Sequence, residues 1–450
     1  MTEVSGTIRV SNKLPKGDKH QFEQLNRRQH LRIALMSYRS KPHCGGQGVY
    51  LRHLSRELVA LGHTVEVFSG QPYPELDPGV ALTKVPSLDL YREPDPFRTP
   101  WPNEYRDLID VEEVLTMWTA GFPEPKTFSK RAARLMKDRI GDFDIVHDNQ
   151  SLGSGMLDII EQGFPLIGTI HHPITFDRRI DIANAPTRRK KLSLRRWYGF
   201  LRMQKKVARQ LPKILTVSES SRRDIVTDFG VDPSRLEVIT LGVDDVFVPP
   251  TAPRVPGRIV AMASADAPMK GIATLLEAFA KLRTERDVEL LLVTTLTPGG
   301  RTERLIDELG IVEHVKFVNG ISDSELVDVM GSAELACVPS LYEGFSLPTA
   351  ELMACATPLV VSRAGAIPEV VGEDGVCATL VTPGDVGELE AAIAELLDDP
   401  ERRAAMGRAG RERVLELFSW RAVAKATAAA YEEVIAASAA LKKENNRADH

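Results

Sequence analysis

Ala336–Val361 reads ACVPSLYEGFSLPTAELMACATPLVV. An apolar run of strand length, Leu335–Pro339, leads into it, and Pro358–Val361 opens a second. Between them a loop carries Gly344, and a helical pattern starts near Pro348. Proline favours a first helical position because its missing N–H would be unpaired there in any case. The backbone N–H groups around Leu347, Thr349 and Ala350 should then point out of the helix start, where an anionic group is well placed. Glu343 and Glu351 bracket the turn. Two carboxylates are poor phosphate ligands, but they suit the hydroxyls of a sugar and a ribose joined to that phosphate. The plain alternative is a surface turn with two solvated glutamates, and the strand, glycine turn and proline-started helix argue against it.

Glu343-Gly-Phe-Ser-Leu-Pro-Thr-Ala-Glu351, with seven residues between the acids, resembles the signature of the retaining nucleotide-sugar glycosyltransferases of family 4, which have the two-domain GT-B fold. The resemblance implies two doubly wound parallel-sheet, Rossmann-like α/β domains facing a cleft, with a last helix crossing back to the first domain. It implies Glu343 on sugar hydroxyls, Glu351 on the ribose, and backbone contacts from Gly344, Phe345, Ser346, Leu347 and Thr349.

At 450 residues the chain exceeds the usual ceiling for a single core, so two domains are expected. Hydrophobic residues at 43% and charged residues at 26% are ordinary for a globular protein. Lys+Arg number 57 against 62 Asp+Glu, a net −5 that gives no general bias toward nucleic acid. Four separate cysteines without metal-ligand spacing suit a reducing cytosol. No apolar run reaches ~18 residues, so no spanning helix is expected, and residues 1–30 read as a polar tail.

The first domain, 31–247, opens with Arg32–Ser37 as a buried strand. Gly45 and Gly46 then precede Tyr50, Leu51, Leu54, Leu58 and Leu61, one face of a helix, and Thr64–Phe68 is the next strand. A dinucleotide reading of this βαβ unit lacks both the G-x-G-x-x-G spacing and the ribose-binding acid. The resemblance makes Gly45 and Gly46 a loop approaching the donor phosphate or the acceptor. Residues 71–130 are irregular and aromatic, either an acceptor surface or a self-packed insertion. Phe143–His147 and Pro165–Ile170 read as strands, followed by Asp148-Asn149-Gln150 and His171-His172 at their carboxyl ends, where open α/β sheets place ligands. A lone histidine is more often structural than catalytic. Here the resemblance places a Thr-x-His segment, matched by Thr169-Ile170-His171, so His171 faces the sugar and His172 is the adjacent alternative. Residues 188–209 carry ten basic and no acidic residues with Leu194, Trp197 and Leu201 at helical spacing. That pattern is an amphipathic helix, lying on anionic lipid or simply packed on the sheet with solvated charges. Ser221 and Asp224 are adequately explained as a helix cap, and Val238–Leu241 ends the domain.

Residues 248–257 are a proline-rich linker. The second domain, 258–417, is expected to bind the donor. Arg258–Ala263, Glu289–Val293 and Val315–Val318 read as strands, Ser322 with Glu325 as a capping box, and Asp399–Leu417 as a helical pair. Trp420–Ala437 reads as a long helix within a crossing segment 418–440, and 441–450 as a polar tail. Lys270-Gly271 matches the family's K-G pair, whose lysine meets the donor diphosphate and neutralises leaving-group charge. An ammonium at a helix start is otherwise mildly unfavourable. The family's arginine six residues earlier is Ser264 here, a departure that puts the diphosphate clamp in question. Val318 is placed near the base.

The implied reaction moves a hexosyl group from a UDP- or GDP-sugar to an acceptor hydroxyl with retention, using His171, Lys270 and Glu343. No cofactor and no divalent metal are required in this scheme. Expected partners are the donor and an acceptor of undefined class, with anionic membrane contact through 188–209 and without nucleic acid. The location expected is the cytoplasm, or the inner face of the membrane. The rival readings are a sugar phosphorylase of the same fold, a pseudoenzyme that only binds nucleotide-sugar, and a membrane-associated interaction protein.

Overall fold

A computed structural model describes residues 30–40, 46–92, 95–263 and 266–448. Seven parallel strands form the first sheet: β1 Arg32–Ser37, β2 Thr64–Ser69, β3 Ala81–Lys84, β4 Ile145–Asn149, β5 Leu166–Ile170, β6 Ile214–Thr216 and β7 Leu236–Val238. Their order is β3-β2-β1-β4-β5-β6-β7. Six form the second: β8 Val255–Met262, β9 Glu289–Val293, β10 Val315–Val318, β11 Ala333–Val338, β12 Leu359–Ser362 and β13 Thr379–Val381, in the order β10-β9-β8-β11-β12-β13. Each order reverses once, between β1 and β4 and between β8 and β11, and such a reversal opens a crevice at the carboxyl ends of the strands. The apolar runs arise because helices cover both faces of each sheet. Ile33, Leu35, Leu335 and Val360, for example, are fully buried.

The last helix, Trp420–Ala448, returns to the first domain. Trp420 stacks on His53 with centroids 5.1 Å apart, and the Tyr431 hydroxyl bonds His147 Nδ1 at 2.7 Å. The Val243 amide donates to the Phe418 carbonyl at 2.9 Å, so the two interdomain crossings of the chain lie side by side. No described helix is long and apolar enough to cross a membrane.

Several boundaries differ from those read in the sequence. β4 starts at Ile145, so Asp148 and Asn149 belong to the strand and Gln150 is the first residue past it. β7 spans Leu236–Val238 instead of Val238–Leu241. β8 begins at Val255, inside the expected linker, because Arg254 anchors that segment by donating to the carbonyls of Gly331, Ala333, Cys355 and Ala356 at 2.8–3.2 Å. Asp399–Leu417 is not a pair of helices. Asp399 caps a single helix, Pro400–Leu417, whose Gly407 is tolerated because a Cβ there would collide with the Ala356 carbonyl. Trp420–Ala448 continues through the polar tail.

Residues 71–130 are less irregular than expected, holding β3 and the helices Leu108–Trp118 and Glu124–Lys137. The first was hidden because Leu108, Val111, Leu115 and Trp118 are apolar on its solvent face, which erases amphipathic periodicity. The basic stretch is two helices, Arg188–Trp197 and Leu201–Ala208, joined by a tight turn at Tyr198–Phe200. Its Trp197 ring faces inward, onto Phe122 and Tyr91.

Candidate active site

Lys270 ends a short turn after β8, and Glu343 lies in the loop after β11, the two strands at the reversal of the second sheet. Gly271 is left-handed (φ 65°) beneath the Pro339 carbonyl, where a Cβ would collide, so only glycine lets the two loops approach this closely. The result is a contact of 2.7 Å between Lys270 Nζ and Glu343 Oε1. Ser340 donates to the same oxygen at 2.8 Å. The pair is only partly buried, 29% and 12% exposed, and Lys270 stands near enough to the first domain to act on Asp177.

The first domain meets this loop directly. The Gly344 carbonyl accepts from Ser218 Oγ at 2.7 Å and Ser221 Oγ at 3.2 Å. A Cβ on Gly344 would stand 2.8 Å from the His171 carbonyl oxygen and 3.1 Å from His172 Cβ. The Tyr342 hydroxyl donates to Asp224 at 2.6 Å and its ring stacks on Phe176 at 4.4 Å. The Glu369 carboxylate takes the amides of Glu219 and Ser220 at 2.8 and 2.7 Å, at the positive end of a helix start. Ser221 and Asp224 are therefore cross-domain contacts and not a cap, a role that falls to Ser218. Sequence reasoning missed Ser218, Tyr342 and Glu369 in this role. The one available signal was the position of Ser218 just past β6, on the ligand-binding rim.

His171, at the end of β5, is held on every side. Its Nε2 bonds Asn149 Oδ1 at 2.8 Å, its amide donates to Gln150 at 2.7 Å, and the Tyr50 ring packs edge-on at 4.8 Å. Burial pushes the imidazole down to about 3, with His172 and His147 adding to the shift, so the ring is neutral. With Nε2–H donated to the Asn149 oxygen, Nδ1 is left as an acceptor. His172 is more open, and its Nε2 lies 3.3 Å from Asp177 Oδ2. Burial alone would raise the Asp177 carboxyl, but His172 and Lys270 bring it below its usual value.

The helix Leu347–Ala354 starts as expected, with Pro348 in its first turn. Ser346 precedes it in a left-handed conformation (φ 82°) and its hydroxyl pairs with Thr349 Oγ1 at 2.8 Å. The Thr349 and Ala350 amides are not free, since both donate to the Ser346 carbonyl at 3.1 and 3.3 Å. The amides of the loop before Pro348 are thus the candidates for an anion. Phe345 turns its ring away from the cleft onto Phe418, at 5.5 Å.

Glu351 is half-buried and its carboxyl makes no hydrogen bond with a described residue. Burial, with Asp323 and Asp244 adding to it, pushes the carboxyl up to about 7. Between the ordinary carboxyl range and that value the folded state holds a proton that the unfolded state has lost, so stability falls as pH rises through this window and is flat above it. Glu351→Gln should therefore stabilise the protein more at pH 8 than at pH 5, by on the order of 2 kcal/mol. Equal gains at both pH values in paired melting curves would remove the assignment.

Gly46 opens the helix that carries Tyr50, while Gly45 and Ser264 lie outside the described residues. Val318 ends edge strand β10, two strands away from β8, and is not brought to the Lys270–Glu343 pair. Among the described residues no group of three or more His, Cys, Asp or Glu is arranged to hold a metal.

Residues 44–247 match the family described as Glycosyltransferase Family 4 and residues 248–413 match Glycosyl transferases group 1. A relative from Mycolicibacterium hassiacum, named MMP α-(1→4)-mannosyltransferase, is 63% identical over 91% of this chain and 100% of its own length. The chain belongs to the family 4, group 1 glycosyltransferases. A D-inositol 3-phosphate glycosyltransferase from Mycolicibacterium smegmatis is 29% identical over 89% of the chain and 90% of its own length. Among solved structures, the sucrose-phosphate synthase of Thermosynechococcus elongatus superposes with a TM-score of 0.70 at 23% identity, covering 91% of this chain and 100% of that one. Anabaena HepE, in complex with UDP-glucose, gives 0.66 at 16% identity over 90% and 100%. These two speak for the fold, which is GT-B.

Proposed function

We propose that this glycosyltransferase moves a mannosyl group from GDP-mannose to a saccharide 4-hydroxyl with retention, giving an α-(1→4) link. The observation that carries the reading is the 63% identity to a mannosyltransferase of that linkage along that protein's whole length. The contact of Lys270 with Glu343 at the cleft fits it. GDP-mannose carries its sugar in the α configuration, so an α product requires net retention. Glu343 is engaged by Lys270 and Ser340, and Asp177 by His172, so neither carboxylate is free to act as a nucleophile, and front-face substitution fits best. The acceptor oxygen bonds to C1 as the bond from C1 to the diphosphate oxygen breaks, and the acceptor proton passes to that departing oxygen.

Each residue then has a task. Lys270 neutralises the diphosphate, with the amides before Pro348 beside it. Glu343 reads sugar hydroxyls through the oxygen not engaged by Lys270, Glu351 takes the ribose, and neutral His171 offers Nδ1 to the sugar. The test is a donor panel by thermal shift, followed by mass detection of product. GDP-mannose should give the largest shift, an acceptor should gain one hexose, and Glu343→Ala should abolish transfer while melting as a folded protein. Turnover in Glu343→Ala equal to wild type sinks the site. Hexose 1-phosphate released from a glycan by inorganic phosphate, without nucleotide, would favour the phosphorylase reading instead.

A further inference from the structure

At the carboxyl end of β1, Arg39 and Glu124 face each other with Nε and Oε2 3.5 Å apart. Neither atom has a hydrogen-bond partner among the described residues, although both are shielded from solvent, and the Tyr91 hydroxyl beside them is in the same state. Buried polar groups are almost always satisfied, so three unsatisfied ones at one place call for an explanation. The Glu124 side chain is 9% exposed. Burial, then Glu113 and Asp89, outweigh Arg39 and push its carboxyl up to about 8. At neutral pH it can both donate and accept.

Aromatic rings wall this place. Tyr91 packs against Phe97, Phe122 and Trp197 at 5.3, 5.6 and 5.7 Å, and Phe122 lies 5.0 Å from Trp197. Phe97 is 60% exposed and sits at φ 65°, a conformation unfavourable for a bulky residue. The Phe97 amide donates to the Leu90 carbonyl at 2.7 Å and its ring edges onto Tyr91 and Trp197, which holds the exposed face of the ring outward despite the backbone cost. The wall is joined to the reaction centre along the rim of the first sheet. Tyr38 bonds Gln47, whose carbonyl takes Asn149 Nδ2 at 3.2 Å, and Asn149 holds His171. On the other side Tyr198 bonds Asp181 at 2.6 Å, on the helix Thr175–Asn184 that also carries Asp177 beside His172.

We propose that this aromatic wall, with Arg39 and Glu124 at its base, is the subsite for the acceptor saccharide, binding a pyranose ring against Phe97 and Trp197 and its hydroxyls on the Arg39–Glu124 pair. The proposal rests on the transfer reading above for the kind of sugar, and it names the residues that hold it. An alkyl chain would leave the guanidinium nitrogen, the carboxyl oxygen and the phenol without the partners they lack here. A phosphate would meet Glu124 with Asp89 and Glu113 close by. An uncharged ring with paired hydroxyls and an apolar face satisfies both parts, the usual make-up of a small-ligand site.

The test is calorimetric binding of α-(1→4)-linked mannotriose, with maltotriose in parallel, to the full chain and to Phe97→Ala, Phe97→Tyr and Glu124→Leu. Phe97→Ala and Glu124→Leu, which keeps the bulk but neither donates nor accepts, should each weaken binding of the preferred trisaccharide about tenfold. Phe97→Tyr should restore it, each variant should melt as a folded protein, and GDP affinity should not move. Unchanged trisaccharide affinity in both weakened variants overturns the subsite, as does absence of binding to wild type at millimolar sugar. If the variants lose trisaccharide while GDP-mannose proves not to be a donor, the subsite stands and the transfer reading falls.

Discussion

Lys270→Gln is expected to lower the rate of transfer about a thousandfold, a loss near 4 kcal/mol of transition-state stabilisation. The departing diphosphate gains charge as the bond to C1 breaks, and a positioned ammonium answers that charge at the moment it forms. The resemblance gives this task to two cations, and the arginine position is Ser264 here, so the proposed role puts a greater load on Lys270. Stability should scarcely change. The ammonium is 29% exposed, and an ion pair so placed contributes at most about 1 kcal/mol. Single-turnover rates with saturating donor measure the effect. A variant that keeps a tenth of wild-type rate would show that another group faces the diphosphate.

Gly344→Ala is the second large effect, and it acts through the approach of the two domains. The new methyl would sit 2.8 Å from the His171 carbonyl oxygen and 3.1 Å from His172 Cβ. Its carbonyl would also be pushed from Ser218 and Ser221, which now donate to it at 2.7 and 3.2 Å. No positive φ is involved at this glycine, so the second domain alone accommodates alanine. Donor binding to that domain should persist while turnover falls about a hundredfold, because a displacement near 1 Å is enough to misalign reacting groups. Small-angle scattering should report a larger radius of gyration for the variant. Wild-type turnover with an unchanged radius would mean that this contact is not made during the reaction.

Much of this was legible in the chain. Arg32–Ser37, Glu289–Val293 and Val315–Val318 are strands at the residues read from apolar runs, since strands buried on both faces announce themselves by composition. The Ser322–Glu325 capping box is present as read. The Lys270–Glu343 meeting was implied by the family resemblance of two local stretches, Lys270-Gly271 and Glu343 to Glu351, far apart in the chain. What stayed hidden depends on partners distant in sequence. Nothing near Glu369 says that it will cap a helix 150 residues earlier, nor does Ser221 reveal that it reaches Gly344. The Leu108–Trp118 helix was hidden for the opposite reason, an apolar surface where solvent normally imposes polarity.

The backbone passes between the lobes twice, and Val243 and Phe418 tie the two passages together at one edge of the cleft. A single strand of connection would let the lobes twist as well as part. A doubled one behaves like a door hung on two pins, free to swing and stiff to torsion. Any parting of the lobes about that edge would therefore return Glu343 to the same neighbours, with alignment preserved by the far edge of the molecule.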